Sequence, residues 1–247
     1  MSNPFSLENK TILVTGSSSG IGRAIAIECS KMQAKVIITG RNTERLSETM
    51  AMLEGSGHTQ IVADLTDDTQ FKELIEQMPN LNGVVLCAGI DKRLPIKFIN
   101  KEDFDTIMQT NFFSPSYLMQ QLLKKKKIEK QSSVVFVSSI AAYTPDMGHA
   151  MYSASKSALN SLARVMALEV ASQQIRVNCI LPGVVNTNIL QSGTLTEEQF
   201  KEEEKRYPLG RFGQPEDIAY SAIYLLSGAS SWITGTLLTI DGGINLK

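Results

Sequence analysis

Short runs of apolar residues alternate with longer amphipathic stretches along the chain. Seven runs rich in Val, Ile and Leu have the length of buried strands, at residues 11–15 (TILVT), 35–39 (KVIIT), 60–63, 83–87 (GVVLC), 133–137 (SVVFV), 175–181 (IRVNCIL) and 236–240 (TLLTI). The segments between them are long enough for crossover helices, so the strands are predicted to run parallel. Right-handed crossovers then give an α/β fold, a doubly wound seven-stranded sheet of Rossmann type with helices on both faces.

We expect residues 1–247 to form one domain. A length of 247 residues suits a single large α/β domain, and neither a linker nor an internal repeat separates the apolar runs. The longest irregular connection spans residues 182–215 and contains a charged segment, 197–206, that is predicted to form a short amphipathic helix. Connections of this kind are commonly lids or binding loops. Residues from about 184 to 212 are therefore predicted to cover a substrate.

Charge and hydropathy narrow the possible partners. The 24 Lys and Arg residues balance 25 Asp and Glu, and the formal net charge is −1. This excludes the overall basic balance of a nucleic-acid-binding protein. No apolar run approaches the ~20 residues of a membrane-spanning helix, and the first residues lack the pattern of a secretory signal. We therefore expect a cytoplasmic protein that binds neither nucleic acid nor membrane.

Cysteine and histidine positions argue against a disulfide framework or a metal site. Cys29, Cys87 and Cys179 are far apart in sequence and form no C-x-x-C pair, so we expect no zinc, no other metal and no disulfide. The two histidines, His58 and His149, form no H-x-x-x-H pair. Both are interpreted as surface or loop residues, and histidine-based catalysis is not expected.

A glycine-rich turn directly follows the first predicted strand and opens a helix. Its sequence is Thr15-Gly16-Ser17-Ser18-Ser19-Gly20-Ile21-Gly22. Glycine tolerates positive φ and lets the backbone approach a ligand closely, and a helix N-terminus offers free N–H groups to a phosphate. The spacing differs from the usual G-x-G-x-x-G, but the strand–turn–helix context favours a dinucleotide site over a simple turn. Arg23, inside the helix, is interpreted as a surface residue.

Residues after the second and third strands bear on the choice of cofactor. After the second strand, a dinucleotide site has an acid for the ribose 2′-hydroxyl or an arginine for a 2′-phosphate. Here Arg41 occupies that place and no acid occurs before Glu44, so NADP(H) is favoured over NAD(H); the alternative is that Arg41 is simply solvated. Asp64 could accept from the adenine amino group while Leu65 packs on the ring. Alternatively, Asp64 or Thr66 caps the next helix.

A tyrosine and a lysine one helical turn apart form the candidate catalytic pair. Tyr152 and Lys156 lie in a strongly helical stretch, where positions i and i+4 share a face with Cβ atoms about 5–6 Å apart. A free tyrosine has a pKa of about 10, and a nearby ammonium and an oxidised nicotinamide would lower it towards neutrality, which suits acid–base catalysis. Ser139 follows the fifth strand at the carboxyl edge, where its hydroxyl could hold a substrate oxygen.

Taken together, these motifs closely resemble the short-chain dehydrogenase/reductase family over nearly the whole chain. The matching motifs are T-G-x-x-x-G-I-G at 15–22, an asparagine at Asn111, a serine at Ser139, Y-x-x-x-K at Tyr152 and Lys156, and P-G-x-x-x-T at 182–187. The segments 208–216 and 233–243 are most similar to the 3-oxoacyl-carrier-protein reductase type of this family.

The resemblance implies a role for each catalytic residue. Tyr152 would protonate a carbonyl oxygen as hydride leaves the nicotinamide, and Ser139 would orient and polarise that carbonyl. Lys156 would bond the nicotinamide ribose and lower the pKa of Tyr152. Asn111 would distort its helix and hold a water that links Lys156 to solvent.

The resemblance also implies the cofactor contacts and the assembly. The backbone around Val185 and Thr187 would position the nicotinamide amide. The implied cofactor-binding set is Gly16, Ser17, Ser18, Ser19, Gly20, Ile21, Gly22, Arg41, Asp64, Leu65, Cys87, Ala88, Gly89, Tyr152, Lys156, Pro182, Gly183, Val185 and Thr187. Predicted helices at 152–171 and 216–227 would form dimer interfaces within a homotetramer, or a homodimer.

Four positions in three segments depart from the family pattern. Cys87 stands where the family usually has the asparagine of N-A-G, and we interpret it as a buried, inert thiol. Ser19 stands where NADPH-using relatives often carry a basic residue, so Arg41 must supply the cofactor preference almost alone. Gln173 and Gln174 stand where carrier-protein reductases often have arginine, which weakens the expectation of an acyl-carrier-protein substrate.

Three functions remain open from the sequence. The leading hypothesis is an NADP(H)-dependent carbonyl reductase or alcohol dehydrogenase acting on a small molecule such as a 3-oxoacyl thioester, a ketone or a keto-sugar, with Ser139 and Tyr152 contacting the substrate. An NADP(H)-binding regulatory sensor without turnover is the alternative from another class. An epimerase or dehydratase is a third, although such relatives are generally longer. Residues 90–95, 140–151 and 185–212 are expected to bound the substrate pocket.

Overall fold

Seven strands form one parallel sheet in the computed structural model, which describes residues 3–187 and 197–246. The strands are β1 (Thr11–Thr15), β2 (Lys35–Gly40), β3 (Thr59–Val62), β4 (Leu81–Leu86), β5 (Ile128–Val137), β6 (Arg176–Pro182) and β7 (Leu237–Ile240). Their order is β3-β2-β1-β4-β5-β6-β7, and each neighbouring pair is parallel. The predicted doubly wound Rossmann-type fold is therefore confirmed.

Eight α-helices are found in the described part of the chain. They are α1 (Gly20–Lys31), α2 (Thr43–Ala51), α3 (Asp68–Gln77), α4 (Lys101–Met108), α5 (Ser114–Lys124), α6 (Ala150–Glu169), α7 (Glu197–Glu204) and α8 (Pro215–Leu226). Apolar residues of α3, α5 and α6 pack on one face of the sheet. Residues of α1, α2 and α8 pack on the other face. Two apolar layers thus enclose the sheet, as the crossover argument predicts.

The fifth strand is longer than its apolar run. β5 begins at Ile128, five residues before the predicted start, and its pairing with β4 shifts register between Leu81 and Gly83. Gln131 in this added part has a φ of 62°. Residues 129–131 are partly or fully exposed, so their polar side chains gave no strand signal.

The helix after β3 has a different cap from either predicted one. The Asp67 side chain accepts hydrogen bonds from the backbone N–H groups of Thr69 and Gln70, at 3.0 and 2.9 Å. The interpretation of Asp64 or Thr66 as the cap of this helix is therefore wrong. Asp64 instead accepts from the Thr66 amide and hydroxyl, and its carboxylate remains at the carboxyl edge of the sheet. In the described residues, no helix is both long and apolar enough to cross a membrane.

Candidate active site

Four separate chain segments meet at the carboxyl edge of the sheet. Gly16 lies so close to Ala88 that a Cβ there would be 2.8 Å from the Ala88 backbone. A Cβ on Gly20 would lie 3.2 Å from the Thr187 methyl group. The turn after β1 therefore contacts the segments after both β4 and β6. Ser139, directly after β5, completes the edge, since the parallel strands all end on this side.

The glycine-rich turn provides a cradle for an anionic group. Gly16 and Gly20 have φ values of +67° and +54°, which L side chains rarely adopt. A Cβ on Gly22 would lie 2.3 Å from the Gly16 carbonyl oxygen. Ser19 begins α1 with extended backbone and no side-chain capping bond, so the first N–H groups of α1 lie next to the turn, available to a phosphate. This geometry fits a dinucleotide pyrophosphate.

Ser17 faces the protein interior rather than the edge. It is fully buried, and its hydroxyl donates to the Val14 carbonyl at 2.6 Å and accepts from the Thr39 amide at 3.1 Å. The hydroxyl thus joins β1 to β2. Of the implied cofactor-binding serines, Ser17 shapes the turn through these bonds, whereas Ser18 and Ser19 are partly exposed.

The Arg23 side chain is hydrogen-bonded to the backbone of the glycine-rich turn, so its interpretation as a surface residue is wrong. Its Nε donates to Thr49 Oγ1 at 2.9 Å, and its Nη2 donates to the Ser18 carbonyl at 2.7 Å. The guanidinium also forms an ion pair with Glu48 at 2.9 Å. Thr49 in turn donates to the Ser17 carbonyl at 2.9 Å. No sequence pattern around Arg23 indicated this role, because the role depends on where α2 packs.

Arg41 and Asp64, which follow β2 and β3, lie together at the carboxyl edge of the sheet. The Arg41 guanidinium is 3.6 Å from the Asp64 carboxylate, and two thirds of the Arg41 side chain is exposed. Burial works against ionisation of Asp64, but hydrogen bonds from Thr66 and the nearby Arg41 charge together hold its pKa below the usual range. Leu65 is partly buried against the apolar core. The residues expected to contact an adenosine phosphate and an adenine ring are therefore adjacent.

The candidate catalytic pair lies at the start of α6. The Lys156 Nζ is 5.5 Å from the centre of the Tyr152 ring. Lys156 is almost fully buried, and its Nζ donates to the Val137 carbonyl, at the last residue of β5, at 2.9 Å. The Ser139 side chain lies near the Tyr152 phenol, where hydrogen bonding by its hydroxyl acts to lower the pKa of the phenol. The structure thus brings the predicted serine, tyrosine and lysine together at the end of β5.

Asn111 occupies an irregular turn between α4 and α5. Residues Gln109–Phe113 form a π-helical turn, a feature often found at functional sites. The Asn111 Oδ1 accepts from the Ile90 amide at 2.8 Å, and Nδ2 donates to the Ile90 carbonyl at 2.8 Å and to Ser155 Oγ at 3.2 Å. This fully buried side chain therefore fixes the loop after β4.

Gly89 separates Asn111 from the candidate catalytic lysine. A Cβ on Gly89 would lie 3.3 Å from Asn111 Oδ1 and 3.4 Å from Lys156 Nζ. The absence of a side chain therefore lets both polar groups approach the same stretch of backbone. The polar ends of Asn111 and Lys156 therefore both lie beside this glycine.

Burial has the largest effect on the pKa values of Tyr152 and Lys156. Burial raises the pKa of Tyr152 to about 12, and the Asp91 carboxylate adds to this shift, whereas the hydrogen bond from Ser139 acts against it. Burial also lowers the pKa of Lys156 to about 8. The protein's own groups therefore do not lower the Tyr152 pKa, contrary to the expectation from Lys156 alone. They hold the phenol in its protonated form at neutral pH.

Cys87 takes part in the site through its backbone. The amides of Cys87 and Ala88 donate to the Thr15 hydroxyl at 3.1 and 3.2 Å, so Thr15 connects the ends of β1 and β4. Burial raises the pKa of the Cys87 thiol to about 12. This supports the interpretation of Cys87 as an inert thiol.

The segment after β6 closes the end of the edge where the resemblance places the nicotinamide. The Gly183 amide donates to the Ile240 carbonyl at 2.9 Å, and Val185, which is buried, forms a parallel bridge with Gly213. Pro182 ends β6, so this segment starts at the sheet edge. Of the predicted lid, residues 184–187 and 197–212 are described, and residues 188–196 lie outside the described part of the chain. The predicted amphipathic helix of the lid is α7.

A cavity lies beside Ser139, and most of its lining residues belong to the segments 140–151 and 185–212 that were predicted to bound the substrate pocket. It has a volume of about 660 Å³ and adjoins Ser139 through the neighbouring Ile140; its other lining residues are Tyr143, Thr144, Pro145, Arg206, Ile244 and Asn245. The Tyr143 hydroxyl lies 3.0 Å from Thr239 Oγ1, and Thr144 donates to Asn245. The C-terminal residues therefore form part of the cavity wall, which no motif indicated.

His149 lies at the end of the loop before α6, as one of its two interpretations predicts, but it is buried beside the candidate catalytic tyrosine, so its interpretation as a surface residue is wrong. It is 7% exposed, and its ring centre is 5.8 Å from that of Tyr152. Its position three residues before Tyr152, one helical turn away, was the available sequence signal. His58 is partly exposed and accepts from the Val36 amide at 3.1 Å.

Comparisons with known proteins agree with this architecture. The family model described as Enoyl-(Acyl carrier protein) reductase matches residues 16–245. A 3-oxoacyl-[acyl-carrier-protein] reductase of Rickettsia prowazekii is 34% identical over 238 residues, covering 96% of this chain and 98% of the relative. A tropinone reductase homolog of Arabidopsis thaliana is 34% identical over 250 residues, covering 98% and 95%.

A solved structure shows the same fold at similar identity. The Pseudomonas aeruginosa RhlG/NADP active-site complex superposes with a TM-score of 0.90 and 30% sequence identity, covering 99% of each chain. Fold, site geometry, the family model and these relatives agree over nearly the full length. The chain therefore belongs to the short-chain dehydrogenase/reductase family, the NAD(P)-dependent oxidoreductases that act on CH–OH groups.

Proposed function

We propose that the protein reduces the carbonyl group of a small molecule with NADPH, and that Tyr152 protonates the carbonyl oxygen. The observation that carries this proposal is the juxtaposition of the Tyr152 phenol, the Ser139 hydroxyl and the buried Lys156 ammonium at the end of β5. These groups stand beside a glycine turn that fits a dinucleotide. Proton donation and cofactor binding are thereby combined at one edge of the sheet.

The cofactor would lie along this edge and would supply the hydride. The residues that would hold its pyrophosphate are Gly16, Ser18, Ser19, Gly20, Ile21 and Gly22. Asp64 and Leu65 would contact the adenine, and the segment 87–89 would pack on the adjacent ribose. Lys156 would bond the nicotinamide ribose, and the backbone from Pro182 and Gly183 through Val185 and Thr187 would position the amide.

Arg41 supports NADP(H) as the preferred cofactor. Its guanidinium is mostly exposed and stands 3.6 Å from Asp64, at the end where a 2′-phosphate would lie. A guanidinium binds phosphate through two parallel hydrogen bonds. The similar Pseudomonas aeruginosa protein has NADP bound in its solved structure, which supports the same cofactor here. A 2′-phosphate would compete with Asp64 for Arg41, and its larger charge favours the phosphate.

The raised Tyr152 pKa suits the reduction direction. At neutral pH the phenol carries its proton and can donate it as negative charge develops on the carbonyl oxygen. Ser139 would donate a hydrogen bond to the same oxygen, as in other oxyanion sites. Lys156, with a pKa of about 8, is mostly cationic at pH 7 and would stabilise the phenolate left behind. Asn111 would connect Lys156 to solvent through a water.

The cavity beside Ile140 supports a small-molecule substrate. Its wall combines the apolar Ile244 with the polar Thr144 and Asn245, which fits a ketone, a keto-sugar or the acyl end of a 3-oxoacyl thioester. We also propose a homotetramer, or a homodimer, built on α6 and α8. Val165, Leu168 and Tyr220 on these helices are more than half exposed in one chain.

The test is NADPH oxidation by purified protein against a panel of ketones, keto-sugars and 3-oxoacyl thioesters. We expect turnover on at least one class and an almost complete loss of kcat in Tyr152→Phe, which removes the proton donor but keeps the ring. NADPH binding by Tyr152→Phe should stay close to that of the unmutated protein. Tight NADPH binding without turnover on the whole panel would instead identify a sensor, and unchanged turnover in Tyr152→Phe would reject the assigned acid.

A further inference from the structure

A histidine connects the two loops that flank the catalytic tyrosine. The His149 Nε2 is hydrogen-bonded to Asp91 Oδ2 at 3.1 Å, and its Nδ1 is 3.2 Å from Asp146 Oδ2. Asp91 lies in the loop after β4, and Asp146 lies in the loop between β5 and α6. The His149 side chain is only 9% exposed. A buried imidazole therefore links both loops at the first residues of α6.

Two of the three carboxylates in this cluster have a cationic partner of their own. Arg93 is paired with Asp146 at 3.3 Å, and Lys92, next to Asp91 in sequence, is instead paired with Asp103 at 2.5 Å. The Asp91 carboxylate is thus left to the His149 ring. A carboxylate accepts hydrogen bonds but does not donate them when ionised. His149 Nε2 therefore donates the hydrogen bond to ionised Asp91 and stabilises its charge.

The same carboxylate acts on the catalytic phenol. The Asp91 charge raises the pKa of Tyr152, after the larger effect of burial. The groups that face this phenol are Asp91 and Cys87 from the segment after β4, Ser139 from the end of β5, and Lys156 and His149 from α6. The His149 backbone is fixed at the start of α6, because its carbonyl accepts from the Ser153 amide at 2.8 Å.

We propose that His149 is a positioning residue for proton transfer at Tyr152, and that it acts by hydrogen-bonding Asp91 and so limiting the effect of this carboxylate on the phenol. The inference rests on the proposed function of Tyr152 as proton donor. It assigns the histidine no direct contact with substrate or cofactor. Asp91 and His149 have opposite effects on the pKa of Tyr152. The Asp91 carboxylate stabilises the neutral phenol, and the His149 imidazole weakens that influence.

The test is a double-mutant cycle on the pH profile of alcohol oxidation, in which Tyr152 must be ionised. His149→Phe keeps a ring but removes the donor, so the profile should shift to higher pH. Asp91→Asn removes the carboxylate, so the profile should shift to lower pH. Each shift should be roughly half to one pH unit, as expected for one charge at short range in a polar environment. In the Asp91→Asn background, His149→Phe should cause no further shift.

Two controls separate this effect from simple loss of structure. His149→Gln retains an N–H donor and should return the profile most of the way to that of the unmutated protein. His58→Gln changes the other histidine, far along the chain, and should leave the profile unchanged. Shifts of the same sign in His149→Phe and Asp91→Asn, or no shift in either, would overturn the proposal.

A second readout remains informative if no substrate is found. Tyrosine labelled with ¹³C at Cζ reports ionisation of each phenol, and the Tyr152 resonance is identified by its loss in Tyr152→Phe. In protein saturated with NADP⁺, this resonance should titrate at higher pH in His149→Phe and at lower pH in Asp91→Asn. The same opposite shifts without turnover would support the histidine assignment and reject only the proposed reaction. Identical titrations in all three proteins would overturn the assignment.

Discussion

The nucleotide side and the substrate side of the site are built by different means. On the nucleotide side, backbone segments contact each other directly. Gly22 lies so close to Gly16, and Gly16 so close to Ala88, that a Cβ on either glycine would lie under 3 Å from the neighbouring backbone. On the substrate side, side chains from distant segments meet, as in the contacts of Tyr143 with Thr239 and of His149 with Asp91. Substitutions should therefore act by steric exclusion on the first side and by lost polar contacts on the second.

The largest effect is expected from Gly22→Ala on the nucleotide side. The new Cβ would lie 2.3 Å from the Gly16 carbonyl oxygen, so the turn or the start of α1 must move. Overpacking of this kind costs about 1–3 kcal/mol, and the displaced N–H groups would no longer fit a pyrophosphate. We expect NADPH affinity to fall roughly 100-fold, about 3 kcal/mol, in fluorescence titrations.

Gly228→Ala is the matched control for this prediction. A Cβ on Gly228 meets only the Pro4 carbonyl oxygen at 3.6 Å, an ordinary contact. Its NADPH affinity and melting temperature should stay near those of the unmutated protein. If Gly22→Ala bound NADPH equally well, the turn would not be built by backbone exclusion.

The same contrast explains what could be predicted from the sequence. The strands and the glycine turn were predictable because apolar runs and glycine positions are local signals of backbone geometry. Tyr152 and Lys156 came from helical spacing, Ser139 from its place at the end of a strand, and Asn111 from the family resemblance. The structure brings these residues together. The structural role of Arg23 was not predictable, because it depends on how α2 packs against α1.

The substrate side was harder to predict for a physical reason. His149 was misinterpreted because its partner Asp91 is 58 residues away in sequence, and neither residue alone indicates burial. The raised pKa of Tyr152 likewise results from burial, which a helical i, i+4 pair does not show. The C-terminal wall of the cavity depends on contacts such as that of Asn245 with Thr144, which tie the chain end to a loop about a hundred residues earlier.

An intermediate effect is expected from Arg41→Ala, which removes charge from the nucleotide side without steric change. A charge-assisted hydrogen bond contributes about 1.5–3 kcal/mol, so NADPH should bind roughly 10- to 100-fold more weakly, whereas NADH affinity should change little. Arg45→Ala, which removes another exposed arginine four residues later on α2, is the control. Equal affinities of the unmutated protein for NADPH and NADH would contradict the role of Arg41.

The smallest effect is expected from Tyr143→Phe on the substrate side, where polar contacts rather than close packing form the wall. The change removes the hydroxyl that lies 3.0 Å from Thr239 Oγ1 and accepts from Asn245 at 3.3 Å. A hydrogen bond of this type contributes about 0.5–1.5 kcal/mol, so KM for the substrate found in the panel should rise only a few-fold, and NADPH affinity should not change.

Tyr117→Phe is the control for this prediction. The Tyr117 ring stacks on Phe71, away from the residues that line the cavity, so loss of its hydroxyl should leave KM unaltered. A change in NADPH affinity as large as that in KM would mean that the two sides of the site are coupled through the C-terminal wall, and the division drawn between them would fail.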